Sequence, residues 1–144
     1  MESEAMSCFT ILMADDDPDD RLLMNQAFRD IGICGEMRFV EDGEELMNYL
    51  CRSGKYADPV LSPRPRLILL DLNMPKKSGY QALLEIKANP DLEAIPVAIW
   101  TTSDDMEDKL QCQNAGADAY VTKPLTYIEL VTSARKLFIG YGKI

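Results

Sequence analysis

Histidine is absent from the 144-residue sequence. Its absence excludes His-based catalytic triads, haem ligation by histidine and zinc sites that need an imidazole ligand. Cysteine is scarce and widely scattered, with no C-x-x-C pair, so we expect reduced, mostly buried thiols rather than a disulfide framework or a zinc site. The four cysteines are Cys8, Cys34, Cys51 and Cys112.

Long apolar runs and excess positive charge are also missing. No apolar stretch approaches the ~20 residues that a transmembrane helix needs. The acidic start, MESEAM, lacks the basic and apolar regions of a signal peptide. The formal net charge of −9 disfavours contact with nucleic acid or an anionic membrane, because both attract clustered Lys and Arg. We therefore expect a cytoplasmic protein that binds neither of them directly.

The sequence does contain a regular β/α alternation. Apolar residues make up 47% of the chain and charged residues 27%, which is typical of one soluble globular domain. Short apolar runs predict strands at residues 9–14, 36–40, 67–70, 96–101 and 119–121. Helical apolar spacing predicts helices at residues 18–31, 44–51, 78–88, 104–115 and 126–139. Residues 52–66 contain Pro59, Pro63 and Pro65 and predict a long loop.

This alternation predicts a parallel sheet covered by helices on both faces. The first, third and fourth strands are apolar almost throughout, which is typical of central strands. The second alternates and the fifth is short, which is typical of edge strands. We therefore predict a doubly wound, five-stranded α/β sheet in the flavodoxin-like order 2-1-3-4-5. Its binding crevice is expected at the carboxyl ends of the first and third strands.

Charged and hydroxyl side chains stand where the predicted strands end. They are Asp15 and Asp16 after the first strand, Asp71 after the third, Thr101 at the end of the fourth and Lys123 after the fifth. Three carboxylates within about 4–6 Å would repel one another by roughly 3–4 kcal/mol per pair at an effective dielectric of about 20. A hard divalent cation relieves this repulsion, and Mg²⁺ suits a site that carboxylates and a phosphate complete.

The rest of the acidic run is predicted to start the first helix. Asp17 is a good N-cap, and Asp19 and Asp20 favour the dipole of the first turn. We therefore assign only the first two carboxylates of the run to the metal. A calcium-binding loop is excluded, because its required Gly position is Asp20 and its required Glu position is Gln26.

Three segments resemble the signatures of the response-regulator receiver-domain family. They are ILMADD at residues 11–16, LLDLNMP at residues 69–75 and YVTKP at residues 120–124. The resemblance covers about residues 8–140. It implies a stand-alone receiver over residues 1–144 with no output domain, which acts in two-component signal transduction. It also implies that the chain is not an enzyme with a separate substrate.

The resemblance implies a role for each of these residues. Asp71 accepts the phosphoryl group, and Mg²⁺, for which Mn²⁺ can substitute, is held by Asp15, Asp16, Asp71 and Asn73. The phosphoryl group is bound, or its arrival is sensed, by Thr101, Lys123 and Tyr120. The lifetime of the phosphorylated state is tuned by Asn73 and Ser103. A cis peptide bond before Pro124 is also implied. Thr102 is larger than the residue usual at its position, so it is expected to narrow access to Asp71.

The implied partners are a histidine kinase or phosphotransfer protein and an unidentified downstream protein. Phosphorylation is expected to change the surface of the fourth helix, fifth strand and fifth helix, through which a homodimer is also expected. The fourth helix has little beyond Met106 and Leu110 to anchor it, which favours a movable element. The proline-containing loop resembles that of receivers paired with phytochrome-type kinases.

Two other functions fit parts of the same pattern. A Mg²⁺-dependent phosphatase of the haloacid-dehalogenase type would also carry Asp-x-Asp after its first strand, as Asp15 and Asp17 do. Its further acidic pair should follow the Lys, however, whereas Asp71 precedes Lys123. A flavin or nucleotide carrier would need a Gly-rich or Ser/Thr-rich phosphate loop, which the sequence lacks.

Overall fold

The computed structural model describes residues 9–142 and contains five strands and five α-helices. The strands are β1 (Phe9–Ala14), β2 (Gly35–Val40), β3 (Leu67–Leu70), β4 (Val97–Thr101) and β5 (Ala119–Thr122). The helices are α1 (Pro18–Ile31), α2 (Gly43–Cys51), α3 (Gly79–Ala88), α4 (Met106–Asn114) and α5 (Tyr127–Leu137). A π-helical turn, Phe138–Gly142, extends α5. The predicted elements are confirmed, and no boundary differs by more than two residues.

All five strands are parallel and lie in the order β2-β1-β3-β4-β5, as predicted. Every residue of β1, β3 and β4 is buried, whereas β2 and β5 are largely half-buried or exposed. Strands buried on both faces must be apolar throughout, which explains why the apolar runs identified the central strands.

Alternate residues of the central strands enter two separate cores. Leu12, Ile68 and Ile99 lie in a core with residues of α2 and α3, whereas Met13 and Leu69 lie in a core with residues of α1 and α5. The two-residue period of a strand produces this division, because successive side chains point to opposite faces. The result is the predicted doubly wound sheet.

The cysteines do not all behave as expected. Cys34 is disulfide-bonded, so the prediction of a reduced thiol is wrong there; Cys51 is free, as predicted, but exposed rather than buried. Cys112 is free and buried, as expected, and Cys8 lies outside the described residues. Spacing along the sequence failed here because the meeting of two cysteines depends on which segments the fold brings together. Within residues 9–142, no helix combines the length and apolarity required to span a bilayer.

Helix α4 is weakly anchored, but not by the residues predicted. Met106 is 65% exposed and Leu110 is 50% exposed, so neither anchors the helix. Cys112 is the buried side chain of α4 instead. The helix contributes little apolar surface to the core, since the residues around Cys112 are polar.

The segment before β3 is a long loop with one 3₁₀ turn, Gly54–Tyr56. Side chains fasten it to α2: the Tyr49 hydroxyl donates to the carbonyl of Pro63 at 2.7 Å. The Tyr56 hydroxyl donates to Glu45 Oε2 at 2.6 Å. The loop is therefore an ordered part of the domain next to α2.

Candidate functional site

The carboxyl ends of β1 and β3 lie side by side and carry Asp15 and Asp71. Ala14 is paired with Leu70 in the sheet, and the Asp71 amide donates to the carbonyl of Ala14 at 3.1 Å. The Asp15 amide donates to the carbonyl of Val40 at 3.1 Å, which extends the pairing of β1 with β2. The sheet therefore fixes the backbone of both aspartates.

Asp15, Asp16 and Asp71 form one carboxylate cluster. One oxygen of each lies within 4.8 Å of an oxygen of the other two. Asp15 is fully buried and Asp71 is 6% exposed, whereas Asp16 is exposed and opens the cluster to solvent. This separation and mixed burial suit a divalent cation that keeps some of its water ligands.

The contacts of Asp15 support a fit to a cation. Its Oδ1 accepts a hydrogen bond from the Asp17 amide at 2.9 Å. Its buried Oδ2 lies 2.8 Å from Lys123 Nζ but receives no hydrogen bond of good geometry. Burial raises the pKa of the Asp15 carboxyl, and its interactions with Lys123 and the Asp17 amide only partly offset this. A metal ion coordinated by Oδ2 would satisfy this buried atom, so the residues present fit a divalent cation.

Lys123 lies at the centre of the carboxylates. Its Nζ is 2.8 Å from Asp15 Oδ2, 3.0 Å from Asp71 Oδ2 and 2.7 Å from Asp20 Oδ2. Burial by itself lowers the pKa of Lys123, but the close carboxylates of Asp15 and Asp20 and the charge of Asp71 outweigh it and raise the pKa above its usual range. The side chain therefore carries a fixed positive charge beside Asp71.

The edge strand β5 delivers Lys123 to this position. Thr101 pairs with Thr122, and the Lys123 amide donates to the carbonyl of Thr101 at 2.6 Å. The predicted cis bond before Pro124 is wrong, because no peptide bond of the described part of the chain is cis. The trans form is also the lower-energy isomer of an X–Pro bond, by about 0.5–1 kcal/mol.

Thr101, Ser103 and Tyr120 form a hydrogen-bonded chain beside the carboxylates. The Ser103 amide donates to Thr101 Oγ1 at 3.4 Å, and the Tyr120 hydroxyl donates to the Ser103 carbonyl at 2.9 Å. Ser103 Oγ in turn donates to Asp108 Oδ2 of α4 at 2.7 Å. Ser103 thus joins β4, β5 and α4. Thr102 is exposed at the same strand end.

Two residues that follow β3, Asn73 and Gly79, lie directly against Asp71. The Asn73 amide donates to Asp71 Oδ1 at 3.2 Å. At Gly79, the first residue of α3, a Cβ would lie 2.0 Å from the carbonyl oxygen of Asp71. Only glycine permits this approach of helix to strand. The sequence interpretation missed Gly79, because one glycine after a loop gives no sign of what it packs against.

Asp20 is the second residue that the sequence interpretation missed. The sequence predicts for it only a favourable interaction with the helix dipole, yet it makes the shortest of the three Lys123 contacts. Local spacing gave no signal for this contact, because Asp20 and Lys123 lie 103 residues apart in the sequence. The predicted site residues lie at the carboxyl edge of the sheet or in the loops that follow it, except Tyr120, which lies within β5.

Comparison with known families gives one model that spans most of the chain. The model of the response regulator receiver domain matches residues 11–135. Response regulator Rcp1 of Synechocystis sp. is 39% identical over 123 residues, which are 85% of this chain and 82% of Rcp1. The haloacid-dehalogenase interpretation receives no support from these similarities.

Solved structures with the same fold include two cyanobacterial regulators. The phosphorylated cyanobacterial phytochrome response regulator RcpA superposes with a TM-score of 0.87 at 33% identity, covering 94% of this chain and 95% of RcpA. The Mn²⁺-bound form of Rcp1 superposes with a TM-score of 0.85 at 35% identity, with the same coverage of both chains. One relative was thus crystallised with a phosphoryl group and another with a divalent cation.

Proposed function

Because the chain belongs to the response regulator receiver domain family, and so to two-component signalling, we propose that Asp71 is its phosphoryl acceptor. The main support for this proposal is the position of Asp71. Its Oδ2 lies 3.0 Å from Lys123 Nζ, and its carboxylate shares a cluster with Asp15 and Asp16. A nucleophilic carboxylate flanked by a cation site and an ammonium group is the arrangement that phosphoryl transfer requires.

The proposed donor is a phosphohistidine of a histidine kinase or phosphotransfer protein. A carboxylate oxygen of Asp71 forms a bond to phosphorus while the phosphorus–nitrogen bond of the donor breaks. The imidazole leaves with the electron pair of that bond and takes up a proton. Because Asp71 is only 6% exposed, the donor must present its phosphoryl group closely at the open side of the cluster. Thr102, exposed at this edge, narrows that approach.

Asp15, Asp16, Asp71 and the backbone carbonyl of Asn73 are the proposed holders of Mg²⁺, for which Mn²⁺ can substitute. The bound cation supplies neutralisation of the charge that develops on the transferring phosphoryl oxygens. Among the protein groups, Lys123 donates to a phosphoryl oxygen and Thr101 contributes its hydroxyl. Asn73, whose amide donates to Asp71 Oδ1, and Ser103, which follows β4, are the residues proposed to tune the lifetime of the phosphorylated state.

Signalling is proposed to run through the surface formed by α4, β5 and α5. Phosphorylation adds negative charge beside Thr101, and a shift of its hydroxyl breaks the contact with the Ser103 amide. Ser103 also holds Tyr120 and Asp108, so the change reaches β5 and α4. This surface is the proposed site for a separate downstream protein and for a homodimer. The described residues act as one receiver unit, without turnover of a separate substrate.

Phosphoramidate, a small donor with a phosphorus–nitrogen bond, tests this function. In the presence of Mg²⁺, the wild-type chain should gain one phosphoryl group by intact mass, whereas Asp71→Asn should gain none. Steady release of phosphate over many turnovers, unchanged in Asp71→Asn, would contradict the proposal and favour a phosphatase.

A further inference from the structure

Asp20 gives Lys123 a carboxylate partner outside the carboxylate cluster. Asp20 Oδ2 lies 2.7 Å from Lys123 Nζ, nearer than the oxygens of Asp15 and Asp71. Its side chain is 29% exposed, and it projects from the first turn of α1. It does not belong to the group of carboxylates arranged around the candidate cation position. The role of Asp20 therefore differs from that of Asp15, Asp16 and Asp71.

The contact between Asp20 and Lys123 affects phosphoryl binding because Lys123 has few hydrogen-bond donors. An ammonium group has three N–H donors and no acceptor, and three carboxylate oxygens lie within 3.0 Å of this one. Two of these oxygens, on Asp20 and Asp71, accept hydrogen bonds from it, so a phosphoryl oxygen that binds Lys123 competes with carboxylates for both its charge and its donors. The Asp71 carboxylate loses its negative charge when it becomes an acyl phosphate, and a bound cation would neutralise the charge of Asp15. Asp20 keeps its full charge and remains as the competitor.

We propose that Asp20 is a positioning residue that competes with the phosphoryl group for Lys123 and so lowers the affinity of the site for a phosphoryl anion. The inference rests on the proposed function of Asp71, since it concerns regulation of the same site. Asp20 acts through Lys123 and does not contact the reacting atoms. Its effect is local, because it depends on direct contact with the ammonium group rather than on the net charge of α1.

The chain offers a matched control in Asp19. This residue lies in the same helical turn and carries the same charge, but it is exposed and does not contact Lys123. Asp19→Asn and Asp20→Asn therefore change the net charge equally. The asparagine at position 20 keeps an oxygen that can accept from Lys123, so the helix–lysine contact is preserved while the competing charge is removed.

The test is calorimetric titration with the phosphoryl mimic beryllofluoride at saturating Mg²⁺. Asp20→Asn should bind beryllofluoride about three-fold to ten-fold more tightly than wild type, an effect limited by the partial exposure of Asp20. Asp19→Asn should bind with wild-type affinity. Asp20→Glu, which restores a carboxylate on a longer side chain, should return the affinity towards wild type.

Each other result overturns the inference. Unchanged or weaker binding by Asp20→Asn would mean that Asp20 does not compete, and equal tightening by both Asn variants would mean that net charge is responsible. Failure of the proposed function looks different: wild type would then not bind beryllofluoride, or Asp71→Asn would bind it equally well. Asp20→Ala provides the same comparison, in the same expected direction, if Asp20→Asn does not fold.

Discussion

At the scale of single residues, Asp16 differs most from its neighbours in the cluster. Asp15 and Asp71 are buried, whereas Asp16 is exposed. An exposed carboxylate can be changed without opening the core, so Asp16→Asn isolates its contribution to metal binding. We expect this variant to need roughly ten-fold or more Mg²⁺ for half-saturation, because one charged ligand is lost. Calorimetric titration with Mg²⁺ measures this, and an affinity equal to that of Asp19→Asn would contradict it.

Gly79 is critical for a different physical reason, the close approach of α3 to the Asp71 backbone. A Cβ at this position would lie 2.0 Å from the Asp71 carbonyl oxygen, so Gly79→Ala must displace one of the two. We expect the free energy of unfolding to fall by about 1–3 kcal/mol, as overpacking typically costs. Urea denaturation measures the loss. Gly140→Ala is the control, because no atom lies within 4 Å of a Cβ there; equal losses would contradict the steric argument.

At the scale of elements, the hydrogen bond between Tyr56 and Glu45 stabilises the packing of the loop before β3 against α2. Several contacts, including the Tyr56 hydroxyl and Lys55, outweigh the effect of burial and lower the pKa of Glu45. A group whose pKa is lowered by folding stabilises the native state above its unfolded pKa, and this stabilisation is lost as the pH falls through the folded pKa.

Tyr56→Phe should therefore lower the free energy of unfolding by about 1 kcal/mol at pH 7. The difference from wild type should shrink in acid, at pH values below the unfolded pKa of Glu45, because protonation of Glu45 removes the charge that the hydroxyl stabilises. Tyr80→Phe is a suitable control, since Tyr80 is also half-buried but makes no side-chain hydrogen bond in the described structure. A difference that is constant with pH would contradict the role of Glu45.

Helix α4 should be the least protected of the five α-helices. Its buried side chain is Cys112, whereas α5 buries Leu130, Ala134 and Leu137. Few buried contacts permit local opening without global unfolding. We expect amide hydrogens of α4 to exchange faster than those of α5 in the unphosphorylated protein, and to change most when beryllofluoride binds. Equal protection of both helices in both states would argue against α4 as the movable element.

At the scale of the whole molecule, the sequence predicted the fold better than it predicted the contacts of the site. Strand order followed from burial, since fully apolar strands must be central and Met37 to Val40, which alternate, must lie at an edge. The convergence of Asp15, Asp71 and Lys123 followed from strand order alone. Asp20 and Gly79 were missed because their importance lies in partners distant along the chain, Lys123 for one and the Asp71 carbonyl for the other.

The same limit explains the errors at Cys34 and α4. Disulfide formation depends on which segments meet, and the spacing of the cysteines carried no such information. Met106 and Leu110 are apolar, but their position on α4 leaves them exposed, and the anchor is Cys112. Apolar character predicts burial only where the helix presents that residue to the core.

The central claim is that Asp71, among several neighbouring carboxylates, carries the phosphoryl group. Borohydride reduction tests it most directly, because reduction of an acyl phosphate converts the phosphorylated aspartate to homoserine. After treatment with phosphoramidate and Mg²⁺, peptide mass spectrometry should find homoserine at position 71 and at no other aspartate. Homoserine at Asp15, Asp16 or Asp20, or none in a chain that has gained phosphoryl mass, would contradict the account.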